Sequence, residues 1–270
     1  MLYFCKMFKR VFLLTLFASL LVFSACGDFQ KLLKSNNSQL KYETAVSLFN
    51  KASYNKAMQL FEQIGPEFKG TDKAEKIAYM NAYCYYHESD YILANYQFKQ
   101  FAENYPTSQY AEECSYMSAY CKYLDSPIFS LDQTNTYDAM KELQIFINRY
   151  PQSSRVEQSN ELIDKLREKL ELKAFEVGML FYRTNDLQAS IVTFNNMLKE
   201  FPDTKYREEV LYMLMKAYKQ YAEKSIESKL AERYGQVYET CDKLLQDFPK
   251  SKYTKEVTAV EENAAKYIKK

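Results

Sequence analysis

Residues Tyr79 to Tyr86 read Y-M-N-A-Y-C-Y-Y, and residues Tyr116 to Tyr123 read Y-M-S-A-Y-C-K-Y. The two stretches are 37 positions apart and agree at six of eight residues. Self-similarity at a period of this size marks stacked supersecondary units, each too small to bury its own apolar face. Within each copy the tyrosines fall at i, i+4 and i+7: Tyr79, Tyr83 and Tyr86, then Tyr116, Tyr120 and Tyr123. That spacing puts them on one side of a helix. Ala82 and Ala119 stand among them, small enough for a second helix to approach. The stretch predicts an all-α fold in which equivalent helices of adjacent repeats carry matching aromatic rows.

Outward from this stretch the chain resembles the tetratricopeptide pattern. That pattern has a small residue, an aromatic three later, A-x3-F beginning twelve after the small one, and a proline twelve further on. Ala82, Tyr85, Ala94, Phe98 and Pro106 fit it, and Gly178, Phe181, Ser190, Phe194 and Pro202 fit it at the same intervals. Ala45, Leu48, Ala57 and Phe61 match its first part, but Pro66 falls three residues early, so the first repeat has an altered exit. Two more repeats keep the second half: Ala139, Leu143 and Pro151, then Val237, Cys241 and Pro249. Their inner turns are lengthened, one by the insertion Asp125 to Thr134, the other near Ala222 to Arg233 by longer helices. The exits Y-P-T-S at Tyr105, Y-P-Q-S at Tyr150, F-P-D-T at Phe201 and F-P-K-S at Phe248 share one logic. Proline stops the second helix, and the Ser or Thr two residues later caps the next.

The link from Pro151 to Gly178 is 14 residues longer than its counterpart from Pro106 to Ala119. It contains no helix breaker, which predicts one long helix from about Ser154 to Arg183. A polar helix to about Ile268 should cap the open end, as stacked repeats require. The expected fold is thus a tetratricopeptide-like helical solenoid of about five repeats. Residues 39–152 would hold repeats one to three, and residues 153–270 the long helix, repeats four and five and the cap.

Composition agrees with this class. Glycine is scarce (5), tryptophan absent, and tyrosine (25) and phenylalanine (18) abundant. The formal charge of +1 becomes −2 without residues 1–25. A near-neutral chain with no basic block lacks the electrostatic footprint of a nucleic-acid binder.

The N-terminus is a different matter. Lys6, Lys9 and Arg10 precede an apolar run, Val11 to Phe23, that is too short to span a membrane but suits a signal peptide. It ends in Phe23-Ser24-Ala25-Cys26-Gly27, which resembles a bacterial lipobox with Phe where Leu is usual. Residues 1–25 would then be a signal peptide removed to leave Cys26 acylated. One acyl chain anchors only marginally, whereas two or three hold a protein at a membrane. Residues 26–38 are polar and read as a lipidated tether, with Ser38 capping the first helix.

No catalytic, metal or cofactor constellation emerges. His87 is the only histidine, so a His-based triad or metal site is excluded, and Glu88 and Asp90 beside it lie at a helix end. Gly65 to Thr71 (G-P-E-F-K-G-T) has Lys ahead of its second Gly and no strand before it, unlike a phosphate loop. Glu112-Glu113 and Glu208-Glu209 fall in helix first turns, where they complement the dipole. Cys84, Cys114, Cys121 and Cys241 are expected as free, mostly buried thiols: Cys84 and Cys121 would lie about 8–10 Å apart on neighbouring helices, beyond the reach of about 7 Å for a disulfide.

The tyrosine rows are the surface with functional character. Counting from the small residue, Tyr79, Tyr83, Tyr86, Tyr116, Tyr120 and Tyr123 take the positions that line the concave face of such arrays. Tyr42 and Phe49 are their counterparts in the first repeat. An apolar ring with a hydroxyl suits peptide contact. The same rings could instead fill the core between helices.

Taken together, the lipobox, the five repeats, the long middle helix and the 245 residues from Cys26 onward resemble the outer-membrane assembly lipoproteins of the BamD family. Y-E-T-A at Tyr42, N-A-Y-C-Y-Y at Asn81 and Y-P-T-S at Tyr105 are particular points of likeness. The resemblance implies a non-enzymatic scaffold without cofactors, lipid-anchored at the periplasmic face of the outer membrane. It would dock the barrel subunit BamA through the C-terminal repeats and receive unfolded outer-membrane precursors at the N-terminal ones. Precursor signals in that family end in an aromatic residue. The alternative is a tetratricopeptide scaffold coordinating cell-wall synthesis or division; such proteins often lack a lipobox and carry a coiled coil. Glycan-binding lipoproteins on similar repeats are usually about twice this length and use Trp, which is absent here.

Overall fold

The computed structural model describes residues 28–268. These residues form helices and connecting turns with no strand among them. A short helix α1 (28–33) is followed by α2 (Ser38–Asn50), α3 (Tyr54–Ile64), α4 (Asp72–His87), α5 (Tyr91–Asn104) and α6 (Ala111–Asp125). Then come α7 (Thr134–Arg149), α8 (Val156–Arg183), α9 (Leu187–Glu200), α10 (Arg207–Glu223), α11 (Glu227–Asp247) and α12 (Thr254–Ile268). The pairs α2/α3, α4/α5, α6/α7, α8/α9 and α10/α11 are the five tetratricopeptide-like repeats, and α12 is the capping helix. The long helix α8 has the expected extent, and the lengthening near Ala222 is taken up by α10 and α11, which leave a three-residue turn between them.

Repeats one, two and four close with a large second-helix residue against a small first-helix residue. Ala45 and Phe61, Ala82 and Phe98, and Phe194 are all at most 1% exposed. At Gly178 the fit is tightest. A Cβ built there would lie 2.5 Å from the Phe194 ring, and the Gly178 carbonyl accepts a hydrogen bond from Ser190 Oγ at 3.0 Å.

The inner turns of repeats one, two and four share one backbone device. Ala52, Ser89 and Asn185 adopt φ of 56°, 61° and 63°. Around each, two amides reach back into the first helix, as Ser53 N to Leu48 O and Ala52 N to Phe49 O do; these are Schellman closures. Asp90 and Asp186 then cap α5 and α9 through Leu93 N and Ala189 N. At the exits, Ser108, Ser153, Thr204 and Ser251 accept the amide two residues on and so close the turn that leads into the next helix; for α10 this corrects the cap reading, because its N-cap is Tyr206 with no side-chain cap bond. Three of these hydroxyls also donate to a glutamate on the first helix of their own repeat: Ser108 to Glu75 (2.5 Å), Ser153 to Glu112 (2.6 Å) and Thr204 to Glu171 (2.8 Å). Glu112 is thus a latch rather than only a dipole partner. Glu208 and Glu209 remain in the first turn of α10.

The chain divides into two compact units, one reaching to Asp125 and resuming at Lys141–Val156, the other Ser126–Met140 with Glu157 onward. The division falls inside α7. In the first unit, one core gathers Ala82, Phe98, Phe101 and Phe146, and another Ala45, Leu60, Phe61 and Ile77. In the second, one core centres on Phe175, Phe194 and Met197 and another on Tyr234, Val237 and Val257. The insertion is ordered around buried Gln133, whose Nε2 donates to the Ile128 and Leu131 carbonyls.

Two further expectations need correction. Within the stretch read as a tether, residues 28–33 are helical, and Phe29, Leu32 and Leu33 pack on the first core. The cap of α2 is Asn37, which accepts from Leu40 N at 2.9 Å, while Ser38 donates to Glu67. The four described cysteines are buried and unpaired in disulfides. Burial pushes the thiols of Cys84, Cys121 and Cys241 up to about 12.

Two backbone-specific substitutions should have opposite signs in chemical denaturation. Ala52→Gly relieves a left-handed Ala and should stabilise by about 0.5–1 kcal/mol. Gly178→Ala must displace a buried ring and should cost about 1–3 kcal/mol. A neutral Gly178→Ala would mean that the α8–α9 approach is looser than described.

Candidate binding face

The tyrosine rows lie over the second and third repeats of the first unit, half in the core and half out of it. On α4, Tyr79 and Tyr83 are 4.9 Å apart between ring centroids, and Tyr83 and Tyr86 are 6.2 Å apart. On α6, Tyr116, Tyr120 and Tyr123 stack nearly parallel at 5.8 and 5.9 Å. Tyr86 and Tyr120 join the two rows at 6.5 Å. The inner sides of the rows rest on second-helix rings: Tyr83 meets Phe98 edge-on at 4.9 Å, and Tyr116 meets Phe146 at 5.5 Å. The rows therefore roof the core with one side and leave part of the other exposed.

The seven candidates are not equivalent. Tyr79, Tyr83, Tyr86, Tyr120 and Tyr123 are half-buried. Tyr116 is only 2% exposed and belongs to the core beneath the row. Tyr42 is half-buried but packs on Phe68, at 5.8 Å, with the Lys73 ammonium above both rings. The early Pro66 explains this. Helix α3 stops at Ile64, and the irregular segment that follows folds Phe68 against α2, where a regular exit would leave Tyr42 open.

Charged residues that the sequence reading left aside hold the rows in place. Tyr83 donates to Glu113 Oε1 at 2.5 Å and Tyr79 to Glu113 Oε2 at 3.2 Å. The Arg155 guanidinium lies 3.9 Å from the same carboxylate and 4.6 Å above the Tyr116 ring. Burial, then the Glu113 charge, pushes the Tyr79 hydroxyl up to about 12. Burial and the Glu113 hydrogen bond push Tyr83 higher still. Glu113 sits three, seven and ten residues ahead of Tyr116, Tyr120 and Tyr123, on their own helix face, and that spacing was the available signal. Lys76 occupies the equivalent place in the previous repeat, so the repeat comparison hid it. His87 is also placed by the fold: it stacks on Tyr54 at 4.1 Å and lies 5.4 Å from Tyr86, and burial lowers its pKa.

The second unit carries a cleft of about 360 Å3 between the 126–133 insertion, α8 and α9. Tyr137, Lys173, Val177 and Glu200 line it, and Tyr137, like Leu131 of the insertion, is more than half exposed. Among the described residues no cluster of His, Cys, Asp and Glu could hold a metal ion, and no helix is long and apolar enough to cross a membrane. Cys26 lies outside the described residues.

Residues 34–234 match the protein family YfiO, described as an outer membrane lipoprotein. No curated protein matches the chain. Among solved structures the chain is similar to the Rap conjugation gene regulator of plasmid pLS20 in complex with a Phr peptide, at 15% identity and a TM-score of 0.34. That likeness covers 82% of this chain and 57% of the regulator, so the chain spans little more than half of the regulator's length. A Podosopora anserina protein of nearly identical TPR-like repeats is similar at 10% identity and a TM-score of 0.35, covering 77% of this chain and 98% of that one.

Glu113→Gln should weaken the hold on both hydroxyls, costing about 1–3 kcal/mol of stability. The alkaline titration gives a separate check. The Tyr79 pKa is raised from 10.0 to about 12 in the fold, so its contribution is complete below pH 10 and is lost as pH rises toward 12. Tyrosinate absorbance of the native protein should therefore lag that of the unfolded chain, and Glu113→Gln should shorten the lag. An unchanged titration would remove Glu113 as the cause.

Proposed function

The chain belongs to the YfiO family of outer membrane lipoproteins, and from that premise we propose that it is a non-enzymatic scaffold of outer-membrane β-barrel assembly. It is anchored through acylated Cys26 at the periplasmic face. Its first unit, built on the N-terminal repeats, receives unfolded barrel precursors, and its second unit, residues 126–140 with 157 onward, docks a BamA-like barrel subunit. The observation that carries this reading is the joined pair of tyrosine rows. Phenylalanines and Glu113 fix Tyr79, Tyr83 and Tyr116, and Tyr86, Tyr120 and Tyr123 rest ring against ring on these, offering ordered aromatic edges. An extended chain ending in an aromatic residue has the chemistry to lie on them. The exposed Leu131 and Tyr137 beside the second unit's cleft suit a protein partner rather than a small ligand. No nucleic acid or cofactor has a place in this scheme.

Affinity purification of the lipidated protein from detergent-extracted outer membrane, with mass spectrometry of what accompanies it, is the direct test. Stoichiometric recovery of a large barrel protein with repeated periplasmic domains is the expected result. Recovery of cell-wall synthases or division proteins would move the function to the other scaffold class. Cys26→Ala should yield folded protein that leaves the membrane fraction. Tyr86→Ala with Tyr123→Ala should weaken binding of peptides from barrel-protein C-termini about tenfold, or about 1.4 kcal/mol. Unchanged peptide affinity would return the rows to a purely structural role.

A further inference from the structure

We infer that the first repeat lies directly against an anionic phospholipid surface, held there by its own lysines, rather than hanging from the membrane on a tether. The inference rests on the proposed acylation of Cys26 and adds to it what the folded residues from 28 onward present beside that anchor.

The described part of helix α1, residues 28–33, is bound to the fold. Phe29, Leu32 and Leu33 pack on the core of the first repeat, and the Lys56 ammonium of α3 sits 5.5 Å over the Phe29 ring. Only two peptide steps separate Cys26 from Asp28, and an extended chain covers at most about 3.3–3.6 Å per residue. Asp28 is therefore within about 7 Å of the acylated residue. That is less than the Debye length of about 8 Å at physiological ionic strength, so charges at this end of the repeat act on a headgroup layer with little screening.

The charge at this end has the sign such a surface requires. Residues 28–56 hold five lysines against two acidic residues, a net +3. The rest of the first unit, residues 57–125 with 141–156, holds eight basic against eleven acidic residues, a net −3. Lys31, Lys34, Lys51 and Lys56 are exposed, whereas Lys41 is buried and donates to Gln63. Lys56 shares the α1 contact, and Lys51 lies in the turn just ahead of it. Lysines near an anionic surface add to membrane attraction, while the acidic remainder of the unit is repelled. Charge and chain length thus select the same end of the repeat.

The test uses the mature, lipidated full chain on vesicles containing anionic phosphatidylglycerol and a headgroup-labelled quencher lipid. A fluorophore is placed by Asn55→Cys in α3 and, for comparison, by Gln152→Cys beyond the end of α7, both exposed positions of the first unit. The native thiols are buried and should stay unlabelled. Quenching at position 55 should exceed that at 152 by about threefold or more, given the short screening distance. Lys34→Glu with Lys51→Glu, or a change to vesicles of neutral phosphatidylcholine, should remove at least about half of the difference while leaving the protein vesicle-bound. Equal quenching at the two positions on protein that floats with the vesicles overturns the inference and leaves the anchor intact. Protein that does not float and has the mass of unmodified Cys26 removes the anchor and the inference together. Shielding of position 55 by a co-purifying protein or a second copy, in the absence of lipid quenching, also counts against it.

Discussion

Everything in either unit depends on how closely two helices of a repeat approach. Ala45, Ala82 and Gly178 are small because a phenylalanine ring of the paired helix occupies the space that a larger side chain would need. Short helices are marginal alone, and most of their stability comes from tertiary packing. Here that packing is a ring against a bare stretch of backbone. The close approach commits one side of each first helix to its partner. The adjoining side, carrying the tyrosines, comes out at the edge of the core, and the rows are half-buried for that reason.

A row at the edge of a core has hydroxyls to satisfy. Glu113 takes two of them, and Arg155 stands between its carboxylate and the Tyr116 ring. The hydroxyl–glutamate latches at Ser108, Ser153 and Thr204 apply the same chemistry at the repeat exits. In both places a carboxylate on a first helix ties down a hydroxyl from another segment. The first use makes a face rigid, and the second closes a repeat. Rigidity is what a receiving surface for an unfolded chain needs, because the ordering cost then falls on the ligand alone.

The repeat boundaries, the long helix and the turns at the exits were legible because they follow from local rules. Proline stops a helix interior, and a serine or threonine two residues later accepts the amide two positions on and closes the turn. The binding face was legible only as a row. Helical periodicity places Tyr79, Tyr83 and Tyr86 on one side but does not say what covers them. Tyr42 shows the limit: it has the same register as its counterparts, yet Phe68 from an irregular exit packs on it. Residues 28–33 show another, since a polar stretch with three well-spaced apolar residues reads as a tether until a core is present to receive Phe29, Leu32 and Leu33.

The sequence by itself determined the all-α class, the number and phase of the repeats and the helix ends, all of which act over a few residues along the chain. Tertiary structure alone decided that Tyr116 goes inside while Tyr120 and Tyr123 reach the edge. It also decided that Glu113 binds two tyrosines from the preceding repeat and that residues 28–33 pack on the first core. Those outcomes depend on partners 30 or more positions away in the chain, such as Glu113 for Tyr83 and Phe146 for Tyr116. Packing, not periodicity, brings such residues together.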